Sequence, residues 1–279
     1  MRALLVCIVM AVCTCQVTSG DKQEIKLPPY VDICYRDDPK VAECIKKNVQ
    51  KLMPRFKKGS ADFDLEPLDP MFFDILRYNY KSPILGGDLV TTNSYLYGVM
   101  DSKVISVRPK LNIPYQFILD FDLQVPHMIV KAEYKLNGNV LNIPVNIKGR
   151  VDMHFENTNV SYHILGNTKT IEDYDYLEIE EFEWTFTGSG IKKMTVRNND
   201  VVDGRPALNR MVKSVLNSSW RLIIDQMLPA VLPESNKKMK AMFAKAFKKY
   251  PYDVILPRRT RIQNLEAPRW EIQQNSTQQ

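Results

Sequence analysis

Long runs of alternating apolar and polar residues constrain this chain more than any other feature of its sequence. Between Tyr115 and Val125 every second residue is apolar, and the residues between them include Asp120 and Asp122. Such alternation is typical of a strand with one face on a core and the other in water. Because runs of more than about ten residues exceed the usual strand length, they predict a large, strongly curved antiparallel sheet.

The same alternation returns several times along the middle of the chain. With opposite parity it continues from Met128 to Leu136, after which Asn137-Gly138 predicts a hairpin turn. It resumes from Leu141 to Phe155 and, after another predicted turn, from Val160 to Ile164. A further strand is predicted around Phe182 to Phe186. The middle of the chain is therefore predicted to be rich in strands.

Helical periodicity appears on both sides of this region. A short amphipathic helix is predicted from about Pro39 to Met53, with proline at its first turn. From Leu208 to Tyr250 apolar residues recur at spacings of three and four. This pattern predicts a long C-terminal helical region that is broken or kinked near Pro229 and Pro233.

The N-terminus has the pattern of a secretory signal peptide over residues 1–20. Arg2 precedes an apolar stretch of about ten residues, which is too short to cross a bilayer, and small residues follow. We therefore expect a secreted, extracellular protein without a transmembrane segment. Residues 21–257 are predicted to form a single domain, and residues 258–279, which are polar and rich in Gln, a flexible tail.

Only two of the five cysteines lie outside the predicted signal peptide, Cys34 and Cys44. An even pair in a secreted chain predicts a disulfide. The alternative is a metal site, but two thiolates with no neighbouring histidine make at most half of a zinc site. Three Asn-x-Ser/Thr sequons are candidate glycosylation sites: Asn159, Asn217 and Asn275.

Composition and motifs exclude several classes of function. The chain is 44% hydrophobic with a net charge of +6 spread along its length, which fits a globular protein and does not favour a nucleic-acid partner. The sequence has no nucleophile elbow, metal-protease motif, phosphate-binding loop or dinucleotide fingerprint, so neither an enzyme nor a cofactor or metal site is predicted. We interpret Asp120 and Asp122 as a solvated face and His127, His154 and His163 as structural or surface residues.

Two alternatives stay open at this point. A lipid-ester hydrolase would need one of the histidines to activate a serine. The lysines between Lys237 and Lys249 form either a solvated helix face or a patch that contacts anionic lipid weakly. The sequence does not predict an oligomeric state.

The order and spacing of several short motifs resemble those of the insect takeout and haemolymph juvenile-hormone-binding protein family, from Cys34 to about Pro257. The motifs are Cys34-x9-Cys44, Leu65-Glu66-Pro67-Leu68-Asp69-Pro70, Tyr97-Gly98, Tyr134-x3-Gly138, Ile143-Pro144, Gly149, Leu208-Asn209, Leu216-Asn217-Ser218-Ser219-Trp220, Pro229 and Tyr250-Pro251. The single cysteine pair is similar to the takeout branch, since the hormone-binding branch typically adds a second disulfide.

The resemblance implies an α+β fold in which a highly curved antiparallel β-sheet wraps a long C-terminal α-helix, the super-roll of lipid-binding tubular proteins. It also implies a carrier with an internal apolar tunnel for an extended ligand such as a terpenoid hormone, a fatty-acid-like molecule or a quinone. The takeout branch further suggests a role in circadian, feeding or chemosensory physiology. The residues expected to line the tunnel are Phe117, Leu119, Phe121, Val130, Tyr134, Ile143, Val145, Ile147, Met211, Val215, Leu222 and Ile223.

Overall fold

The computed structural model describes residues 25–81, 85–113, 115–140, 143–186, 190–197, 202 and 204–259. The predicted signal peptide lies outside these residues. The strands are β1 (Met71–Lys81), β2 (Leu85–Tyr97), β3 (Lys103–Lys110), β4 (Gln116–Val140), β5 (Ile143–Ile171), β6 (Tyr174–Thr185) and β7 (Ile191–Val196). The α-helices are α1 (Val41–Phe56), α2 (Pro206–Ser218), α3 (Trp220–Lys248) and α4 (Tyr252–Ile255). The predicted α+β class is confirmed.

β4 and β5 form a long antiparallel hairpin at the centre of the sheet. β3 and β2 pair with successive parts of β4, β6 and β7 pair with successive parts of β5, and β1 pairs with β2. β1 and β6 lie at opposite ends of the strand order, yet α3 packs against both. The sheet is therefore curled around the C-terminal helix, as expected.

In β4 and β5, the set of alternate residues that faces the core switches at one point along each strand. Pro126 and Asn157 lie opposite each other without forming a ladder pair, although the register is the same on both sides of them. Proline has no N–H to give to the ladder, and Asn157 has a φ of 49°. The predicted turn between Phe155 and Val160 is wrong, because β5 continues through this point as one strand.

The predicted hairpin after the first long strand is confirmed, but its turn lies further along. The ladder extends to Val140 opposite Ile143, so Asn137 and Gly138 are still part of β4. Gly138 is required there by the neighbouring strand, because a Cβ at this position would lie 2.0 Å from the carbonyl oxygen of Gly86 in β2.

The helices differ from the predictions mainly at their ends. α1 begins at Val41 and continues to Phe56, whereas the C-terminal helical region is interrupted at Ser219. Of the break or kink predicted near Pro229 and Pro233, a break is wrong, since α3 runs through both. Both prolines are exposed, so the carbonyls that they leave without an N–H partner are open to water.

Amide side chains of the three longer helices satisfy backbone groups at strand edges. The N–H groups of Val104, Val196 and Trp184 donate to Gln50 of α1 at 2.8 Å, Asn217 of α2 at 2.8 Å and Asn236 of α3 at 3.1 Å, respectively. Unpaired strand edges invite association with other chains. These contacts therefore hold the helices in place and cover the edges.

The N-terminal and C-terminal segments are fastened to each other. The predicted disulfide between Cys34 and Cys44 is confirmed and ties α1 to the segment before it. The backbone N–H of Arg259 donates to the Asp37 carboxylate at 3.1 Å, and its guanidinium lies 2.7 Å from Asp38. The first residues of the predicted tail thus pack against the body, and residues 260–279 lie outside the described part.

Candidate functional site

A largely apolar cavity of about 290 Å³ lies inside the curled sheet. Phe117, Leu119, Phe121 and Leu123 of β4 line it on alternate positions. Because alternate strand residues face one side, these four follow the cavity over about 20 Å at roughly 3.4 Å per residue. One wall of the cavity is therefore a single strand face.

Helices close the cavity opposite the strand. They contribute apolar residues at helical spacing: Ile45, Val49, Leu52 and Met53 of α1, Met239, Phe243, Ala246 and Phe247 of α3, and Tyr252 and Ile255 of α4. The Phe243 ring stacks on Phe182 of β6 with centroids 4.9 Å apart, and Phe247 lies 6.1 Å from Phe117. Aromatic contacts thus connect the helical side to the sheet.

Polar side chains are few in this lining. The amide of Asn48 is occupied, since it donates to the carbonyl of Asp32 at 2.7 Å and accepts from its N–H at 3.2 Å. The others are the phenols of Tyr162 and Tyr252, and burial raises the pKa of each above its ordinary value. Both phenols are therefore protonated at neutral pH.

The structure brings only part of the predicted lining together. Phe117, Leu119 and Phe121 line the cavity. Val130, Tyr134 and Ile147 lie beyond Pro126 and Asn157, half-buried against the core but outside this cavity. Ile143 and Val145 pair with Val140 and Gly138, and their side chains are outside the described part.

The residues predicted from the first part of the C-terminal helical region are not in the cavity. Met211, Val215 and Leu222 are 61%, 46% and 54% exposed, and Ile223 is half-buried. The helices present other positions to the core instead: Val212, Leu216, Trp220 and Ile224. Apolar residues occupy more of the helix circumference here than the sheet can bury. Some of the residues predicted to face inward therefore lie on the exposed side of the helix.

Two of the histidines, His154 and His163, have carboxylate neighbours, and His127 contacts His154. His163 Nδ1 lies 2.6 Å from Asp120, while the hydroxyl of Ser161 donates to Asp122 at 2.8 Å. A hydrogen bond from Arg108 holds the pKa of Asp122 at about 2. Within the described residues these contacts do not form a serine nucleophile activated by histidine.

The lysines at the end of α3 are partly paired. Lys248 lies 3.4 Å from Glu178, and Lys245 lies 4.0 Å from Glu66. Among the candidate glycosylation sites, Asn159 is exposed, the amide of Asn217 is engaged with Val196, and Asn275 is outside the described part. No helix in the described ranges is long and apolar enough to cross a membrane.

Two of the sequence motifs have clear structural roles near the cavity. The Asp69 carboxylate accepts the backbone N–H of Gly98 at 3.0 Å, which joins the start of β1 to the end of β2. Gly98 has a φ of 87°, and a Cβ there would lie 2.0 Å from the carbonyl oxygen of His127. The motifs thus fix the end of β2 against the start of β1 and against β4.

A family model described as haemolymph juvenile hormone binding protein (JHBP) matches residues 7–257. The chain belongs to this family. The curated relatives include the circadian clock-controlled protein daywake of Drosophila yakuba, 23% identical over 75% of this chain and 82% of the relative. Daywake of Drosophila melanogaster is 20% identical over the same shares.

Among solved structures, that of Epiphyas postvittana Takeout 1 matches with a TM-score of 0.65. The match has 19% sequence identity and covers 81% of this chain and 99% of Takeout 1. The predicted resemblance to the takeout and JHBP family is confirmed, as is the curled antiparallel sheet with its C-terminal helix.

Proposed function

We propose that this JHBP-family protein is a secreted carrier that holds an elongated apolar ligand in its internal cavity and catalyses no reaction on it. The observation that carries the proposal is the cavity of about 290 Å³, enclosed by apolar side chains of β4, α1 and α3. Its volume is at the lower end of the range for ligand pockets, about 300–1,000 Å³, which favours a slender ligand. A terpenoid hormone, a fatty-acid-like chain or a quinone tail has this shape.

Binding of such a ligand is driven by removal of apolar surface from water. The gain is about 25 cal/mol per Å² buried, offset by the ordering of the ligand. The name of the family, which refers to haemolymph and to a hormone, supports both a secreted location and a small hydrophobic ligand.

The direct test is mass spectrometry of the lipids extracted from protein purified without detergent. We expect a lipophilic molecule in molar amounts close to that of the protein. Protein that carries none, and that takes up neither a fluorescent fatty acid nor a fluorescent terpenoid, would overturn the proposal.

A pair of substitutions on one helix tests the position of the ligand. Ala246 of α3 lines the cavity, whereas Ala241 on the same helix is exposed. Ala246→Phe fills the cavity and should reduce uptake of a fluorescent fatty acid at least tenfold, an estimate of about 1.4 kcal/mol or more of lost affinity. Ala241→Phe should bind as the unchanged protein does, and equal loss in both variants would contradict this position.

We propose in addition that expression follows the daily cycle, because the Drosophila relatives are named circadian clock-controlled proteins. Transcript and protein levels sampled through a day and night in constant darkness test this. A flat profile in all tissues would overturn it without affecting the proposed carrier function.

A further inference from the structure

Tyr252 forms one end of the cavity wall and differs from its apolar neighbours. Its side chain is in the lining, and the residue is only 5% exposed. The ring meets Phe117 edge-on with centroids 6.1 Å apart, and the Arg36 guanidinium carbon lies 4.7 Å from the centroid of the same ring. The Arg36 guanidinium therefore lies directly behind the Tyr252 ring, at the edge of the lining to which Tyr252 belongs.

The Arg36 side chain acts on the Tyr252 hydroxyl as a hydrogen-bond donor. Apart from this contact, the buried Arg36 Nε and Tyr252 Oη have no hydrogen-bond partner within the described chain. Burying a donor without a partner is unfavourable, and such groups are rare in native proteins. The rest of the guanidinium is held in place, because Nη2 pairs with Asp253 and the Arg36 backbone N–H donates to the carbonyl of Pro257 at 2.9 Å. The Arg36 side chain is therefore held in a fixed position next to Tyr252.

The local charge favours an anionic acceptor. Arg36 and Arg258 both act electrostatically on the Tyr252 hydroxyl, and Asp253 is the single opposing charge among the groups that do so. Positively charged donors bind carboxylates more strongly than neutral acceptors, and the planar arginine side chain suits the geometry of a carboxylate.

We propose that Arg36 Nε and Tyr252 Oη receive the carboxylate of a fatty-acid-like ligand whose chain extends along β4 from Phe117 toward Leu123. The inference rests on the proposed carrier function and specifies its ligand as an acid. The remaining wall supports this orientation, because the Asn48 amide is already bonded to Asp32 and the lining residues of β4 are apolar. The second phenol of the lining, that of Tyr162, belongs to a ring that stacks on Phe121. A ligand with one polar end is therefore oriented with that end at Tyr252.

The test compares two probes with the same chain, the fluorescent cis-parinaric acid and its methyl ester. We expect the unchanged protein to bind the acid about tenfold more tightly, the ratio that corresponds to roughly 1.4 kcal/mol for a charged hydrogen bond. Tyr252→Phe removes only the hydroxyl, and Arg36→Lys keeps the charge but removes Nε. Each substitution should lower the ratio of acid to ester affinity at least threefold, because each removes one of the two donors behind the expected tenfold preference.

Tyr250→Phe is the matched control, since Tyr250 precedes Tyr252 by two residues but packs on Phe63 at a centroid distance of 5.4 Å and does not line the cavity. It should keep the preference for the acid, and circular dichroism should show all three variants folded. If the unchanged protein binds acid and ester equally, or if Tyr252→Phe and Arg36→Lys leave the ratio unchanged, the carboxylate site is wrong while the carrier function stands. If neither probe binds, the proposed function itself fails.

Discussion

The two halves of the curled sheet are built from the same pair of strands but enclose different interiors. The cavity half comprises residues 116–125 of β4 and 158–171 of β5, together with β3, β6, α1, α4 and the end of α3. The hairpin half comprises residues 127–140 and 143–156 of the same strands, together with β1, β2, β7 and α2. In the cavity half three helices close over an apolar space, whereas α2 of the hairpin half has no fully buried residue.

The interior of the hairpin half also carries more hydroxyl groups. Burial raises the pKa of Tyr78 of β1 and Tyr134 of β4 to about 12, and it also raises the pKa of Tyr80. Tyr78 and Tyr80 pack together with ring centroids 6.3 Å apart. Large aromatic side chains of the hairpin half thus belong to the core or pack against it.

The difference teaches that strand pattern and cavity are separate properties. Residues 117–123 and 128–136 alternate equally well, yet only the first run lines the cavity. What distinguishes them is the set of elements packed on the inner face. The helices that cover a curved sheet decide where a ligand can lie.

The largest expected effect contrasts two phenylalanines. Phe155 in the hairpin half is fully buried, whereas Phe121 in the cavity half is half-buried on the wall. Phe155→Ala should lower the free energy of unfolding by about 3–5 kcal/mol, the usual cost of such a deletion in a packed core. Phe121→Ala should cost less, because part of its ring already faces empty space, but it should weaken ligand binding.

Urea denaturation and titration with a fluorescent fatty acid measure the two quantities separately. Equal losses of stability in both variants would show that the cavity half is packed as tightly as the hairpin half. Weaker ligand binding in Phe155→Ala, measured while that variant is still folded, would contradict the assignment of the ligand to the cavity half.

The next effect concerns the disulfide, which lies at the cavity half. Replacing both Cys34 and Cys44 by Ala should cost about 3 kcal/mol on the chain-entropy estimate for so short a loop. Because Cys34 itself lines the cavity and Cys44 lies in α1, hydrogen exchange should increase in α1 and β3 more than in β1 and β2. Reduction of the unchanged protein is the control and should give the same pattern, whereas a uniform increase would contradict a local role.

Much of the fold could be predicted from the sequence because alternation and helical spacing are local properties. The alternation of the strands, the presence of a hairpin after the first long run and α1 follow from neighbouring residues, and the disulfide follows from the count of cysteines outside the predicted signal peptide. The continuity of β5 through Asn157 could not be predicted. A residue at positive φ usually marks a turn, and this one stays in a strand because β4 and β7 pair with β5 on both sides of it. Likewise, only the solvent exposure of Pro229 and Pro233 explains why α3 continues through them.

The candidate site was harder to predict. The periodicity of Met239, Phe243 and Phe247 indicates an apolar helix face but not that this face covers a cavity. Arg36 and Tyr252 are 216 residues apart in the numbering and carry no motif, so their contact depends on the fastening of the chain ends to each other. Such a pairing is visible only in the fold.

The smallest expected effect is a response of the hairpin half to acid. Burial lowers the pKa of His154 below its ordinary value of 6.5, with Arg197 and His127 acting in the same direction and Asp152 opposing them. The unfolded chain therefore takes up a proton at this residue before the folded chain does, so the free energy of unfolding falls as the pH decreases below 6.5.

His154→Gln removes the titrating group and should flatten the dependence of the melting temperature on pH between neutral and mildly acidic conditions. Asn146→Gln changes an exposed residue of the same strand without removing a titrating group, so as the control it should keep the dependence of the unchanged protein. Because His154 pairs with Thr195 across β5 and β7, acid should increase hydrogen exchange in β7 before β6. An equal response of these two strands, which pair with successive parts of β5, would mean that the two halves unfold as one unit.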